Sequence, residues 1–203
     1  ILIGHCPPRP LKLKACSIGA VSQYFMADFN QVILHNRKVD AVKRFHPWIF
    51  SGAIQQIGQG VEDGDVVEVY SAAGDYLATG HYATGSIAVK VLSFQPIDRI
   101  EQLFLHRFQA ALALRQQLGL VGNDRTTCYR LINAEGDGLP GLIVDWYAGA
   151  AVVQAYSAGM GRQLDLIQHC LQAIYGTALT TIYDKSAAVF GKHQPATPHL
   201  LGS

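Results

Sequence analysis

The chain has 203 residues, of which 49% are hydrophobic and 15% charged, and its formal net charge is +1. This composition predicts one or two folded domains with a substantial core and excludes a disordered chain. The near-neutral charge also excludes a general attraction to nucleic acid or anionic membrane, so any basic binding site has to be a local patch.

Residues 1–28 mix basic residues, prolines and small residues without a helical or strand period, which predicts an unstructured N-terminal extension. They contain no apolar core followed by a cleavage site of the kind that a secretory signal needs. Regular patterning begins after Met26. One hypothesis is therefore that the residues before Met26 are upstream translated sequence without a structural role.

Residues 29–96 are predicted to form a small, largely antiparallel β domain. After a short first strand, QVILH, three runs of β-branched and aromatic residues are separated by the turn sequences AAGD and ATGS: 66–70, 76–82 and 87–94. Between the first strand and these runs, RKVDAVKRF predicts a short basic amphipathic helix over residues 37–45. Pro47 ends that helix because it lacks an N–H and biases His46 away from the α conformation.

The same stretch concentrates cations beside aromatic residues. Such a mixture contacts phosphates and stacks unpaired bases, so we predict an RNA-binding surface made of Arg37, Lys38, Lys43, Arg44, His46 and Trp48, extended by Tyr82 and Lys90. The alternative is a solvated helix face followed by aromatic residues of the core.

Residues 97–120 are predicted to form a connecting helix of roughly 30 Å, because apolar side chains recur at helical spacing and Gly119 and Gly122 supply the stop. Residues 121–190 predict a second α+β unit: strand YRLIN, a glycine-rich turn, strands LIVDW and AAVVQAY, a helix with an apolar face, and strand ALTTIYD. Residues 191–203 are rich in proline and polar residues, which indicates a linker to a further, missing domain.

The glycine-rich turn, GDGLPG at residues 136–141, fits the dinucleotide fingerprint G-x-G-x-x-G. That fingerprint requires a helix directly after the glycines, whereas LIVDWY predicts a strand. Glu135 and Asp137 would also repel a phosphate. The turn therefore predicts a β-hairpin and not a nucleotide site.

Several acidic residues are candidates for catalytic or metal-binding groups. Glu135 and Asp137 could act as a general acid/base pair or as metal ligands, but acidic residues also populate turns, with Asp137 bonding its own backbone. Asp145 and Asp184, each predicted to end a strand, favour a structural role as a cap or as the partner of a basic neighbour such as Lys185. We predict no catalytic residue.

The four cysteines, Cys6, Cys16, Cys128 and Cys170, have neither C-x-x-C spacing nor histidines clustered around them. This predicts no metal site and fits a reducing compartment. No apolar run approaches the roughly twenty residues of a membrane helix. We therefore expect a soluble, cytoplasmic protein without a membrane partner.

Three longer motifs, RFHPWIFSGAI, GDVVEVYSAAGDYLATGHYATGSIAVKVL and YRLINAEGDGLPGLIVDWY, carry a resemblance. The chain from about Gln31 to about Lys192 resembles the N-terminal part of the class I S-adenosylmethionine-dependent rRNA methyltransferases that methylate carbon 5 of a cytosine in bacterial large-subunit rRNA. One departure from that family is Ala134, which stands where glycine is usual.

The resemblance implies an α+β fold: a PUA-like RNA-binding β pseudo-barrel over 29–96, a linker helix, and a small strand-strand-helix-strand α/β middle domain over 121–190. It implies large-subunit rRNA as the partner. The family's cofactor loop and catalytic cysteines have no counterpart here, so we expect no cofactor in this chain, S-adenosylmethionine in a full-length parent, and a missing C-terminal methyltransferase domain.

Our prediction is an RNA-binding portion of an rRNA methyltransferase, truncated before the catalytic domain and inactive alone. Two alternatives remain open at this point. One is a stand-alone RNA-binding adaptor that never had a catalytic domain. The other is a small metal-dependent hydrolase that uses Glu135, Asp137 and Asp145.

Overall fold

A computed structural model describes residues 29–186 and the backbone of a two-residue strand, Pro198–His199. The predicted N-terminal extension lies outside the described residues, and so does the predicted linker apart from that strand. The α+β class is confirmed, with two mixed sheets and helices between and beside them.

The first sheet has six strands in the order β2-β6-β5-β4-β1-β3. Neighbouring strands are antiparallel except for β1 and β4, which are parallel, so the prediction of a largely antiparallel domain is confirmed. The strands are β1 Asn30–Leu34, β2 Trp48–Phe50, β3 Ile54–Ile57, β4 Val66–Ser71, β5 Tyr76–Tyr82 and β6 Ile87–Ser93.

The first sheet is curled. Alternate side chains of its strands point to the inner face of the sheet and form the first core. Valines from β1, β4 and β6 dominate it because β-branched side chains pack well on a pleated surface: Val32, Val67, Val69, Val89 and Val91. Residues between these positions face outward, as the alternation of a strand requires.

The predicted basic helix over 37–45 is wrong in its extent. A 3₁₀ turn, Asn36–Lys38, is followed by a single α-helical turn, α1 Asp40–Lys43. The chain leaves the helical conformation soon afterwards, at Phe45, whose φ is 62°. With Pro47 two residues later, the segment cannot continue as a helix. A second 3₁₀ turn, Ser51–Ala53, separates β2 from β3.

The predicted connecting helix is present as α2, Ile100–Gln117. Its end is a Schellman motif: the N–H of Leu120 donates to the carbonyl of Arg115, and that of Gly119 to Gln116, both at 2.9 Å. Gly119 adopts φ 69°, a conformation that glycine tolerates without steric cost, so its predicted role as the helix stop is confirmed.

The second sheet has five strands in the order β11-β10-β9-β8-β7. Its elements are β7 Cys128–Asn133, β8 Leu142–Tyr147, β9 Ala150–Ala155, α3 Ala158–Gly161, α4 Leu164–Tyr175, β10 Thr181–Asp184 and β11 Pro198–His199. The glycine-rich segment joins β7 to β8 as an antiparallel hairpin, as predicted. Helices α2 and α4 supply Phe104, Phe108 and Leu171 to the second core, against the buried face of this sheet.

We call the first sheet with its core the first domain, and the second sheet with α2, α4 and their shared core the second domain. The two domains are in direct contact. Leu92 of β6 belongs to the second core. Gly159 of α3 lies so close to the ring of His81 that a Cβ at this position would overlap it. At the rim of the interface, Arg162 donates to the carboxylate of Asp65 at 2.5 Å. Glycine at position 159 therefore allows α3 to pack on the first sheet.

Candidate nucleic-acid interface

Four of the predicted RNA-binding residues form one exposed surface, which we call the basic strip: Arg37, Lys38, Lys43 and Arg44. Arg37 and Lys38 lie on the 3₁₀ turn, and Lys43 and Arg44 lie at the end of α1. The buried Val39 and Val42 anchor both turns on the first core. Because these anchors point inward, the cations on either side of them are left exposed to solvent.

No cation of the basic strip forms an ion pair with a carboxylate among residues 29–186. Arg44 makes one weak hydrogen bond, from its Nε to the carbonyl of Asp40 at 3.3 Å. Exposed ammonium and guanidinium groups without an internal partner are available to an external anion, and phosphate is the anion that such groups contact in nucleic acids.

His46 and Trp48 continue the surface but are more constrained. The Nδ1 of His46 lies 3.0 Å from the carbonyl oxygen of Trp48 and 3.2 Å from its backbone nitrogen. The indole Nε1 of Trp48 donates to the Glu135 carboxylate of the second domain at 2.9 Å. The N–H of Trp48 is thus used within the protein, and its half-buried ring lies where the two domains meet.

The structure places Lys90 and Tyr82 on opposite faces of the first sheet. Lys90 pairs with Trp48 on one side and with His81 on the other, so the three side chains share the face of the sheet that is turned away from the first core. Tyr82 pairs with Val89 and packs against the first core. Lys90 therefore adjoins the surface that carries Trp48, whereas Tyr82 is separated from it by the sheet.

His81 was not singled out from the sequence. It is only 2% exposed, and neither ring nitrogen has a hydrogen-bond partner among the described residues. Burial, with a smaller contribution from the charge of Lys90, lowers its pKa to about 4. His81 is consequently neutral at physiological pH, and it packs as a flat side chain under Gly159.

A cleft of about 570 Å³ opens between the two domains, next to the basic strip. We call it the interdomain cleft. One wall comes from the first domain and includes Phe45, Pro47 and Phe94. The other comes from α2 and the hairpin turn and includes Arg107, Glu135 and Gly138.

The hairpin turn itself is held by a buried ion pair. Both oxygens of Asp137 accept from the guanidinium of Arg115, at 2.6 and 2.7 Å, and one also accepts from the backbone N–H of Asn133 at 2.6 Å. The prediction that Asp137 bonds its own turn is confirmed. The carboxylate has its acceptor sites occupied by internal donors, which argues against a role in acid/base chemistry or metal binding.

Asp145 lies in the middle of β8 and not at a strand end, so that prediction is wrong. Its carboxylate accepts from Arg130 at 2.8 and 3.2 Å, and this hydrogen bond raises the pKa of the Arg130 guanidinium. Asp184 does end a strand and accepts from the backbone N–H of Ser186 at 2.8 Å. Both acids are structural, although neither pairs with Lys185.

No group of three or more metal-ligating side chains occurs in the described part of the chain. The hydrolase alternative therefore lacks a site among these residues. Arg115 was missed as a partner of Asp137, although its spacing after Phe104, Phe108 and Ala111 places it on the buried face of α2. A charged residue on an apolar stripe is the signal that could have revealed it.

The glycine-rich turn does not fit S-adenosylmethionine. Strand β8 begins at Leu142, directly after the glycines, so no helix N-terminus follows them to face a ligand. The Arg107 guanidinium already lies against Gly138. Within residues 29–186, the fingerprint GDGLPG is thus a hairpin turn. None of the helices in this part of the chain is long and apolar enough to cross a membrane.

Comparisons with known proteins fit this architecture. A family model for PUA-like domains matches residues 32–94. Ribosomal RNA large subunit methyltransferase I of Alteromonas mediterranea is 38% identical over 139 residues, which are 68% of this chain and 34% of that protein. The protein of the same name from Aeromonas hydrophila is 38% identical over 153 residues, or 74% of this chain and 38% of the relative.

Among solved structures, a protein assigned as a methyltransferase and complexed with SAH has a TM-score of 0.68 and 21% sequence identity. The match covers 85% of this chain and 43% of that one, and at this identity it shows the shared fold alone. The chain thus spans between 34% and 38% of the length of the two curated relatives described above.

Proposed function

We propose that this chain binds structured large-subunit ribosomal RNA through the basic strip of its PUA-like domain. The observation that carries the proposal is the set of four exposed cations on adjacent turns, without a carboxylate partner in the described chain. The two curated relatives support it, since their names assign them a ribosomal RNA substrate.

We further propose that the chain is the RNA-recognition part of a methyltransferase that uses S-adenosylmethionine to methylate carbon 5 of a cytosine. In this proposal residues 29–96 are the RNA-binding domain, α2 is the connection and residues 121–190 are a middle domain. Since the glycine-rich turn does not fit the cofactor, the described residues contribute binding and orientation of the RNA and no chemical step.

The salt dependence of RNA binding tests the proposal, because each cation that neutralises a phosphate releases a condensed counterion. For four contacts on single-stranded RNA, the slope of log K against log salt is expected near −3, from about 0.7 per contact. The Lys43→Ala, Arg44→Ala double variant should reduce the slope to about −1.4. Fluorescence anisotropy with a labelled large-subunit rRNA fragment measures both.

The matched control is the Arg125→Ala, Lys185→Ala double variant, which removes two positive charges from exposed positions of the second domain. Its slope is expected to equal that of the wild type, because the proposal locates the phosphates on the basic strip. If both double variants flatten the slope equally, binding depends on net charge and the basic strip is not the site. If the folded wild-type chain does not bind the fragment, the proposal fails.

A further inference from the structure

The interdomain cleft begins where the basic strip ends, because Phe45 in its wall directly follows Arg44. Its volume of about 570 Å³ is within the range of about 300–1,000 Å³ that is typical of small-ligand sites. We infer that the cleft binds one unpaired nucleobase of the RNA whose phosphates lie along the basic strip. This inference rests on the proposed function and assigns the cleft a separate role within it.

Phe45 is the first observation behind the inference. The residue is 68% exposed, and its backbone has φ 62°, a left-handed conformation that is costly for a bulky residue. A glycine would fit this backbone without the cost. Burial in a core does not explain a phenylalanine that is both exposed and strained, whereas contact with a ligand would.

The orientation of the ring is the second observation. Phe45 meets Phe94 edge to face, with 5.2 Å between ring centroids and 87° between their planes. In this geometry Phe94 does not stack parallel on Phe45, so a face of the Phe45 ring is available to a planar group. Bases stack on such aromatic faces without regard to their sequence.

The opposite wall supplies polar groups that can meet the edge of a base. Arg107 lines the cleft; its Nη2 donates to the Leu92 carbonyl at 3.4 Å, and its Nη1 has no hydrogen-bond partner among the described residues. One oxygen of Glu135 accepts from Trp48. A guanidinium donor and a carboxylate acceptor in one cleft match the acceptors and amino groups that line the edges of bases.

Gly138 positions this wall. Its φ is 71°, and a Cβ there would lie 2.9 Å from the Cζ of Arg107. The turn backbone therefore contacts the guanidinium directly, and both line the cleft. The glycine-rich turn thus contributes to a ligand site by close approach of its backbone, although it is not a nucleotide-binding loop.

Two RNA hairpins with the same stem, one of which carries a single bulged nucleotide, test the inference. Binding of each to the full 203-residue chain is measured by fluorescence anisotropy at one salt concentration. The wild type is expected to bind the bulged hairpin at least about fivefold more tightly, since stacking of one base contributes about 1–3 kcal/mol.

Two substitutions at Phe45 separate stacking from folding. Phe45→Gly removes the ring and relieves the backbone strain, and Phe45→Leu keeps apolar volume without a π face. Both are expected to reduce the ratio of the two affinities to about one while the affinity for the uninterrupted hairpin is unchanged. The Lys43→Ala, Arg44→Ala variant should weaken both complexes by the same factor and keep the ratio.

Three results would overturn the inference. A wild-type ratio near one, with binding that still depends on the basic strip, overturns it and leaves the proposed function standing. A Phe45→Leu variant that retains the wild-type ratio also overturns the inference, because the cleft then needs apolar volume and not an aromatic face. If the folded wild-type chain binds neither hairpin, both the inference and the proposed function fail.

Discussion

The basic strip and the hairpin of the second domain use their cations in opposite ways. At the hairpin turn, Asp137 is paired with Arg115 of α2 at 2.6 Å, and their side chains are 5% and 10% exposed. Arg130 on the adjacent strand is held by Asp145 at 2.8 Å. In the basic strip, by contrast, every cation is exposed and none has a carboxylate partner among the described residues.

This difference shows why the net charge of +1 is a poor guide to binding. The charge of a guanidinium that is paired inside the protein is neutralised by its carboxylate partner, and the pair stabilises the fold. An unpaired cation on the surface adds little to stability but keeps its attraction for phosphate. The arrangement of charges, and not their sum, therefore distinguishes a scaffold from a binding surface.

The largest expected effect comes from breaking the buried pair. Arg115→Ala leaves the Asp137 carboxylate buried without its partner, which typically costs about 3–5 kcal/mol of unfolding free energy. Lys43→Ala removes an exposed cation and should change this free energy by less than about 0.5 kcal/mol. Urea unfolding followed by circular dichroism measures both. If the two substitutions change the free energy of unfolding equally, the cations of the two regions do not differ in how much they stabilise the fold.

Acidification tests the contact between the first sheet and α3, where His81 is buried under Gly159. Its pKa falls from 6.5 to about 4 on folding, so between these pH values the unfolded chain binds a proton that the folded chain does not. Stability should therefore decrease as pH falls from 6.5 to 4, by about 3 kcal/mol from this group.

The control for the histidine is His81→Leu, which has a similar volume and no titrating group. Urea unfolding at several pH values should show that the difference in stability between wild type and this variant changes by about 3 kcal/mol over the same window. A difference that is independent of pH would mean that His81 is not a buried neutral imidazole in solution.

The smallest effect concerns backbone strain in the hairpin turn. Ala134 adopts φ 45°, the left-handed region that glycine tolerates, which explains why glycine is usual here in the family that the sequence resembles. Ala134→Gly should raise the unfolding free energy by up to about 1 kcal/mol. Ala113→Gly, on the exposed face of α2, is the matched control and should lower it by about 1 kcal/mol. If both substitutions lower the free energy of unfolding, the backbone at Ala134 is not strained.

Local patterns were sufficient to predict most of the regular structure. The runs of β-branched and aromatic residues in β4, β5 and β6, the turn sequences between them, the apolar stripe of α2 and the glycine that stops it are all properties of short segments. The basic segment was predicted incorrectly because the conformation of Phe45 breaks the helix, and no local rule places a phenylalanine at positive φ. Helix α3 was missed because it has only four residues, two of them glycines, which disfavour helix, and its Ser157 cap only becomes evident with its partner Met160.

The candidate site was only partly accessible from sequence. The cations of the basic strip are neighbours in the chain, so composition alone revealed them. The cleft is formed by residues far apart, as shown by Trp48 and Glu135, which are separated by 87 positions and joined by one hydrogen bond. Likewise, the face on which Tyr82 lies was decided by strand register, which sequence does not specify at single-residue precision.

The most direct test of the central claim is a nuclear magnetic resonance titration of the ¹⁵N-labelled chain with a large-subunit rRNA fragment. If the basic strip binds the RNA, amide signals of residues 36–46 shift first and most, while signals of β8 and β9 in the second sheet stay in place. Shifts concentrated in the second sheet, with residues 36–46 unchanged, would contradict it and locate the RNA-binding surface on the other domain.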